Sequence, residues 1–289
     1  MPEAVLLALA PLALGLALDA AYPFHSGPLL SIHPVHTSYV MATRLARALR
    51  GRAGGVLLWA AVVGSHLAAY GAALWAAWRL GPLAWILVAS YVVKVSMPVR
   101  LLADHVSRAG RALAEGDLEG ARRAAQGIVR RDLSRAGPGH VASAALESLF
   151  ESLVDGITSP LFYYVLLGPL GALLQRLANT MDGAVGFTDP PFRDIGWFSA
   201  VADTALNYLP ARITSMLEVV ACWILGREAG RALSCYRRCR RATASLNAGH
   251  PMSAAAGCLG VRLEKEGSYS LGEGGLPGPD EIRDGLRLA

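Results

Sequence analysis

The chain has 289 residues, of which 53% are hydrophobic and 17% are charged. Soluble domains usually carry about 25% charged residues, so this composition excludes a typical soluble domain and favours a helical membrane protein. The formal net charge is +5, and arginine supplies nearly all the positive charge, because Lys94 and Lys265 are the only lysines. The arginines adjoin apolar segments, where the positive-inside rule explains them. The lipid bilayer is therefore an expected partner, and nucleic acid is not.

The first apolar segment, residues 4–18, is short for a full membrane span and contains Pro11 near its middle. It fits a tilted span, a re-entrant segment or a buried helix, and Asp19 is expected to end it. The prolines and glycine that follow predict an irregular loop over residues 20–38. A basic amphipathic helix is expected after this loop, with arginines at Arg44, Arg47, Arg50 and Arg52.

A transmembrane hairpin is the clearest prediction for the chain. Residues 56–78 are long enough to cross a membrane, residues 79–82 predict a tight turn, and residues 83–99 return. Three tryptophans near this turn are typical of an aromatic belt at one membrane interface. Lys94 lies near the other end of the returning segment, where its long side chain is expected to snorkel to water.

Residues 100–139 form a polar segment with helical periodicity, and we expect a cytosolic insertion of two or three helices there. Asp117 follows a helix-breaking glycine and is placed to cap the next helix. The chain as a whole, residues 1–289, is expected to form a single membrane domain. Its polar, Gly-rich tail, residues 264–289, is expected to be partly flexible.

Two later apolar segments contain interruptions. Residues 157–178 carry two prolines and Arg176, which predict a broken or re-entrant span. Residues 183–202 predict an aromatic loop rich in glycine and proline, and residues 206–226 are apolar again but contain Pro210. The predicted fold is all-α: a polytopic, multi-pass protein of the cell membrane, with about 4–5 membrane-embedded segments and cytosolic amphipathic helices.

Acidic and amide side chains are concentrated between residues 147 and 212. Glu147, Glu151 and Asp155 recur at i, i+4 and i+8, so a regular helix over residues 142–155 places all three carboxylates on one face. Ionisable groups beside or inside membrane spans are costly to retain, so we interpret this set as functional. Two further groups follow the apolar segments: Asn179, Thr180 and Asp182, and then Asp203, Asn207 and Arg212.

The arrangement of these groups depends on residues 157–178. If that segment crosses the membrane fully, Asp182 and Asp203 face away from Glu147 and Asp155. If it is re-entrant, all four carboxylates lie on one side. The interruptions within the segment favour the re-entrant arrangement.

Other motif signals are weak. No P-loop occurs, and neither lysine stands in such a context. His33-x-x-His36 lies in a proline-rich loop with no acidic ligand nearby, so it does not predict a metal site. The cysteines lack a paired Cys-x-x-Cys pattern, and we expect free thiols rather than disulfides. They stand at Cys222, Cys235, Cys239 and Cys258.

The remaining side chains suit phosphoryl chemistry. Converging carboxylates can hold Mg²⁺, with phosphate oxygens completing its shell. Arginine can bind a phosphate or a carboxylate through two parallel hydrogen bonds. Such a set serves phosphoryl transfer, where positioning and charge neutralisation supply most of the catalysis. The residues alone therefore indicate either a Mg²⁺-dependent membrane enzyme that handles an anionic substrate or a transporter for one.

The order of the motifs resembles the adenosylcobinamide-phosphate synthase family of cobalamin biosynthesis, an integral membrane group, over nearly the full length. The most specific matches are Glu147-Ser148-x-x-Glu151, Val154-Asp155-Gly156, Asn179-Thr180-Met181-Asp182, Asp203-x-x-x-Asn207-x-x-Pro210-Ala211-Arg212 and Ser245-Leu246-Asn247-Ala248-Gly249. The chain departs from the common family pattern at Ser152, Thr204 and Ser253, where an asparagine, a second acid and a glutamate are usual.

This resemblance implies a carbon–nitrogen ligase. Family members condense a corrinoid carboxylate, adenosylcobyric acid, with aminopropanol or its phosphate, and they use ATP and Mg²⁺. The catalytic residues implied are Glu147, Glu151, Asp155, Asp182 and Asp203, as Mg²⁺ ligands or as the base that deprotonates the amine. Asp155 and Asp182 are the metal ligands expected first. The substrate-binding residues implied are Asn179, Thr180, Arg193, Asn207, Arg212 and Asn247.

Two other functions stay open from the sequence. One is a non-catalytic corrinoid-binding or assembly protein of the same fold, with other proteins of corrinoid synthesis as its partners. The other is a membrane transporter, which the broken spans favour and the lack of an inverted repeat opposes.

Overall fold

The computed structural model describes residues 2–187 and 189–289. Over these residues the regular secondary structure is helical apart from one short β-hairpin. This confirms the predicted all-α class. The helices are α1 (Pro2–Ala21), α2 (Pro34–Leu45), α3 (Gly51–Leu80), α4 (Pro82–Ser96), α5 (Val99–Ala114), α6 (Leu118–Gln126), α7 (Pro138–Leu153), α8 (Ser159–Leu167), α9 (Pro169–Val185), α10 (Phe192–Ile195), α11 (Trp197–Ile224), α12 (Ala229–Cys239), α13 (Gly249–Leu259) and α14 (Pro279–Leu288). A 3-10 turn covers Gly27–Ile32, a π-helical turn covers Val154–Thr158, and the two antiparallel strands are β1 (Leu263–Lys265) and β2 (Tyr269–Leu271).

The chain divides into two compact units. Unit 1 consists of Met1–Val99 and Asp155–Leu206, and unit 2 consists of Arg100–Val154 and Asn207–Ala289. Each unit is therefore discontinuous in sequence, and α11 begins in unit 1 and ends in unit 2.

Helices α3 and α4 of unit 1 form the predicted hairpin. Gly81, at φ 122°, lets the chain reverse between them, and the rings of Trp78 and Trp85 meet edge to face at the turn. Two helical stretches, Gly51–Leu80 and Pro82–Ala114, are long and apolar enough to cross a membrane. In the first stretch, 17% of the most apolar window is buried, which differs from the core helix of a soluble protein. The larger number of membrane segments stays a prediction.

Helix α1 continues through Pro11 and ends later than predicted. Proline cannot donate to the carbonyl four residues earlier, and Trp85 Nε1 lies 3.4 Å from that oxygen, on Leu7. The hydroxyl of Tyr164 donates to the next carbonyl, on Ala8, at 2.6 Å. Partners from other helices thus support the interrupted backbone. We had predicted that Asp19 ends this helix. The helix instead continues to Ala21, and Asp19 lies buried in its last turn.

The loop predicted over residues 20–38 is shorter than expected, because Pro34 begins α2. Proline suits the first turn of a helix, where its missing N–H has no intrahelical partner. The four predicted arginines consequently do not share one helix, since α2 ends at Leu45 and α3 begins at Gly51.

The loop between α1 and α2 also covers Lys94, which is 6% exposed. Lys94 therefore does not snorkel to water, because its Nζ lies 2.8 Å from His25 Nδ1.

Residues 157–178 are not one continuous helix. The chain turns at Gly168, at φ 68°, and α8 and α9 pack against each other on either side of the turn. With nine residues, α8 is about 14 Å long and too short to cross a hydrocarbon core of about 30 Å. The predicted break is confirmed, and the reversal returns the end of α9 toward the start of α8.

The loop predicted over residues 183–202 is shorter than expected, because α9 extends to Val185 and α11 begins at Trp197.

Helix α9 is central to unit 1. It contacts α2, α3, α4 and α8. Leu173, Leu177 and Met181 recur along one face of α9 and are fully buried in the main hydrophobic core of this unit. Because these apolar residues face the core, the polar residues of the same helix, including Asn179, are fixed on another face.

Helix α7 is central to unit 2. Every residue from 141 to 150 is buried, and α6, α13, α14 and β1 pack around the helix. Asp117 caps α6 as predicted, accepting a 2.7 Å hydrogen bond from the amide of Gly120. The polar tail contains the β-hairpin and the amphipathic helix α14, whose Ile282 is buried.

A disulfide joins Cys222 of α11 to Cys258 of α13. This corrects the prediction of free thiols for these two residues, while Cys235 and Cys239 are free. The pairing was invisible in the sequence because 36 residues separate the partners and the spacing matches no local motif.

Candidate functional site

Three predicted residues of unit 1 lie together. Asp155 comes from the π-helical turn, Asn179 from α9 and Asp203 from α11. The Asn179 Nδ2 atom lies 3.3 Å from Asp155 Oδ2 and 3.3 Å from Asp203 Oδ1. One amide nitrogen therefore bridges two carboxylates from different elements, because the turn at Gly168 returns α9 beside the start of α8. We call Asp155 and Asp203, together with the Asn179 amide that joins them, the amide-bridged pair.

Arg176 adds a positive charge to the amide-bridged pair. It precedes Asn179 by three residues on α9, and its Nη1 lies 3.4 Å from Asn179 Oδ1. Its guanidinium also interacts electrostatically with both Asp155 and Asp203. In the sequence we had interpreted Arg176 only as an interruption of an apolar segment. An arginine in the middle of apolar residues was the signal that could have marked it as functional.

The remaining predicted residues of unit 1 lie along α9 and α10. Asp182 follows Asn179 by three residues, and its half-buried carboxylate lies close to Gly186 at the end of the helix. Thr180 is buried, and its hydroxyl donates to the Arg176 carbonyl. Arg193 is exposed on α10. Asp182 is thus on the same side of α9 as Asn179, whereas the Thr180 hydroxyl bonds to the helix itself.

The predicted row of three carboxylates divides between the units. The regular helix α7 ends at Leu153, so Glu147 and Glu151 belong to unit 2 and Asp155 to unit 1. A π-helical turn follows Leu153, and such turns occur frequently at functional sites. The i, i+8 relation of Glu147 to Asp155 assumed a regular helix throughout, and the structure corrects that assumption.

Glu147 is enclosed by donors in unit 2. Arg131 binds both carboxylate oxygens, with Nη1 2.8 Å from Oε2 and Nη2 2.9 Å from Oε1. The hydroxyls of Ser143 and Tyr269 donate to the same carboxylate at 2.7 and 2.6 Å. Burial, and then the charge of Glu147, raises the pKa of Tyr269, which therefore stays a donor. Glu151, by contrast, is exposed.

A second group in unit 2 contains Arg212. Its Nη1 donates to Asn247 Oδ1 at 3.0 Å, and its guanidinium lies 3.5 Å from the ring centroid of Tyr208. The pKa of His250 is lowered to about 4, chiefly by burial and then by nearby arginines, among which Arg212 acts most strongly. Arg212 and Asn247, which the resemblance implied separately as substrate-binding residues, are thus close in space, and Asn207 is buried on the same helix as Arg212.

The amide-bridged pair fits a magnesium ion that binds together with phosphate. Within residues 2–187 and 189–289, no three His, Cys, Asp or Glu side chains group to form a complete metal site. Mg²⁺ does not need such a group, because it is usually held by one or two carboxylates, water and substrate phosphates. Asp155 and Asp203, whose oxygens approach the same nitrogen, match that description.

The fold and these groups together define an all-helical protein that has two candidate membrane spans and keeps carboxylates, amides and arginines clustered among its helices. The chain belongs to the CobD/Cbib protein family, whose profile matches residues 12–286. The resemblance inferred from the motifs is thereby confirmed.

Named relatives extend this result. The chain is similar to the probable cobalamin biosynthesis protein CobD of Aeropyrum pernix, with 53% identity over 288 residues, which cover 100% of this chain and 89% of the relative. It is also similar to the cobalamin biosynthesis protein CobD of Chromobacterium violaceum, with 37% identity over 79% of this chain and 74% of the relative. No solved structure matches the chain.

Proposed function

We propose that this protein acts in cobalamin biosynthesis as an ATP- and Mg²⁺-dependent amide ligase of the cell membrane. Its substrates are adenosylcobyric acid and aminopropanol or its phosphate, and its product is adenosylcobinamide or its phosphate. Membership of the CobD/Cbib family and the names of the relatives support the pathway. The observation that carries the chemistry is the amide-bridged pair, in which Asn179 holds Asp155 and Asp203 together beside Arg176.

In this proposal the amide-bridged pair receives the triphosphate. Asp155 and Asp203 would hold Mg²⁺, and Asp182 would be a further ligand or the base on the same side of α9. When bound there, Mg²⁺ would supply charge neutralisation for the phosphates. Arg176 binds a phosphate oxygen, and Asn179 keeps the two carboxylates at a fixed separation. These residues thus position the nucleotide and stabilise charge, which is most of what phosphoryl transfer requires.

The proposed reaction has two steps. A carboxylate oxygen of the corrinoid attacks the γ-phosphorus of ATP, ADP leaves, and an acyl phosphate forms. The amine nitrogen then attacks the acyl carbon, phosphate leaves, and the surplus proton of the nitrogen passes to a carboxylate of the protein. One amide, one ADP and one phosphate result. Activation is needed because a free carboxylate is a poor acyl donor toward an amine.

The residues of unit 2 have supporting roles in this proposal. Arg212 and Asn247 bind a carbonyl or phosphate oxygen of a substrate, since their side chains already lie 3.0 Å apart. Glu147 is a positioning residue, because its carboxylate is engaged by Arg131, Ser143 and Tyr269. Glu151 is exposed and remains a candidate base.

The first test compares variants of the amide-bridged pair. Detergent-purified D155N and D203N are assayed with adenosylcobyric acid, aminopropanol phosphate, ATP and Mg²⁺. We expect kcat to fall about 100-fold or more, as when other charge-stabilising groups are removed from an active site. The matched control is D280N, which removes an exposed carboxylate of α14 that pairs with Arg283.

Two results would count against the proposal. Wild-type kcat in folded D155N and D203N would remove the pair from the chemistry. Absence of amide product from the wild-type protein, in a reaction where a known synthase is active, would favour a non-catalytic corrinoid-binding protein.

A further inference from the structure

A second polar group lies within unit 1, on residues that the proposed function does not use. Lys94 is buried near the end of α4, and its Nζ lies 2.8 Å from His25 Nδ1. The ring of His25 meets the ring of His33 edge to face, with centroids 4.5 Å apart. Both histidines come from the segment between α1 and α2, so one short segment brings two imidazoles beside a buried ammonium group.

Tyrosines hold this segment in place. The hydroxyl of Tyr91 donates to the Ile32 carbonyl at 3.2 Å, and the hydroxyl of Tyr70 donates to the same oxygen. Lys94 Nζ also lies 5.6 Å from the ring centroid of Tyr22. The position of His33, which follows Ile32 directly, is thus fixed by side chains of α3 and α4, as a preorganised site requires.

Two nitrogens of this region are buried without hydrogen-bond partners. They are Nδ1 of His33 and Nε of Arg176. Buried polar atoms are nearly always paired, so each exception calls for an explanation, such as a ligand that supplies the missing partner. The charge of Arg176 is one of the causes that lower the pKa of His33, which places the two unpaired nitrogens in one neighbourhood.

Positive charge accumulates at this place. The pKa of His33 is lowered to about 4, first by burial and then by the charges of His25, Lys94, Arg176 and His36. Asp19, buried in the last turn of α1, interacts with Lys94 and offsets part of this charge. An anion that enters among these groups is attracted by Lys94 and Arg176 and accepts hydrogen bonds from them and from the neutral imidazoles.

We infer that His25, His33, Lys94 and Arg176 form a binding site for a phosphate group of a substrate, next to the amide-bridged pair. Four donors from three elements suit the tetrahedral oxygens of a phosphate better than the two coplanar oxygens of a carboxylate. Arg176 belongs to both groups, so the phosphate lies beside the centre where the amide is made. The inference rests on the proposed function for its substrates: the phosphate is that of ATP or that of aminopropanol phosphate.

The test measures binding without turnover. The full-length, detergent-solubilised protein is titrated calorimetrically, in the absence of corrinoid, with ATP, aminopropanol phosphate, aminopropanol and inorganic phosphate. We expect K94Q and H33Q to bind one of the two phosphorylated substrates at least 10-fold more weakly and to bind aminopropanol unchanged. The substrate that loses affinity identifies the source of the phosphate. The control is R79Q, which removes an exposed cation from the other end of the same hairpin.

Two outcomes would overturn the inference. One is wild-type affinity of K94Q and H33Q for every phosphate compound. The other is an equal loss of affinity for all four ligands, because that result indicates a structural role. The proposed function is judged separately by amide synthesis, so a protein that binds phosphate through Lys94 but makes no amide contradicts only the proposed function.

A second measurement applies if K94Q cannot be purified. Histidines of the wild-type protein are modified with diethyl pyrocarbonate and mapped by mass spectrometry. The phosphorylated substrate should protect His25 and His33 but not His36, which is exposed three residues away. Equal modification of His25 and His33 with and without the ligand would contradict the inference.

Discussion

Single side chains of this protein take different roles although they looked alike in the sequence. Asp155 and Glu147 are both acids next to apolar residues. Asp155 shares a neutral amide donor with a second carboxylate, whereas Glu147 is bound by an arginine and two hydroxyls. Asp155 and Asp203 together keep a net negative charge even with Arg176 beside them, which suits a cation, whereas the single carboxylate of Glu147 is already neutralised by Arg131. The partners, and not the residue type, separate the two roles.

A stability measurement tests the positioning role of Glu147. In E147Q the partly buried guanidinium of Arg131 loses its counter-charge, so the free energy of unfolding should fall by about 3 kcal/mol. E151Q, which changes an exposed acid one turn later on α7, should keep the wild-type melting temperature. Thermal unfolding in detergent measures both variants. If E147Q melts with the wild type but loses activity, Glu147 acts in the chemistry instead.

Among the helices and turns, the sequence predicted correctly those features that depend on residues close together in the chain. The α3–α4 hairpin followed from apolar length and a Gly-Pro turn, and the Asp117 cap followed from one side chain and one amide. Pro11 and Pro34 misled the prediction of boundaries for opposite reasons. Partners from distant helices support the backbone around Pro11, and Pro34 occupies a helix start, where proline is favourable.

The α8–α9 reversal is the element that assembles the amide-bridged pair, and Gly168 is its pivot. At φ 68° and ψ −158° a residue with a side chain is strained, so G168A should lose about 1–3 kcal/mol of stability and lower kcat by moving Asn179 away from Asp155. The control is G64A in α3, where an added methyl group meets open space and alanine favours the helix. Melting temperature and kcat are compared for both. Wild-type kcat in G168A would show that the pair does not depend on this turn.

At the scale of the whole molecule, each of the two units carries its own group of ionisable side chains. The sequence predicted most members of these groups, because acids and amides stand out among apolar residues. It did not predict Arg176, Lys94 or His25 as members, since their roles come from contacts between residues far apart in the chain, such as Lys94 with His25. The Cys222–Cys258 disulfide was missed for the same reason.

In the proposed reaction, the protein activates a corrinoid carboxylate with ATP and then forms an amide. Adenosylcobyric acid labelled with ¹⁸O in its free carboxylate is incubated with the wild-type protein, ATP, Mg²⁺ and aminopropanol phosphate, and the released phosphate is analysed by mass spectrometry. One ¹⁸O atom should appear in phosphate for each amide formed, because the carboxylate oxygen leaves bonded to phosphorus. Release of unlabelled phosphate while the amide accumulates would contradict the acyl phosphate intermediate.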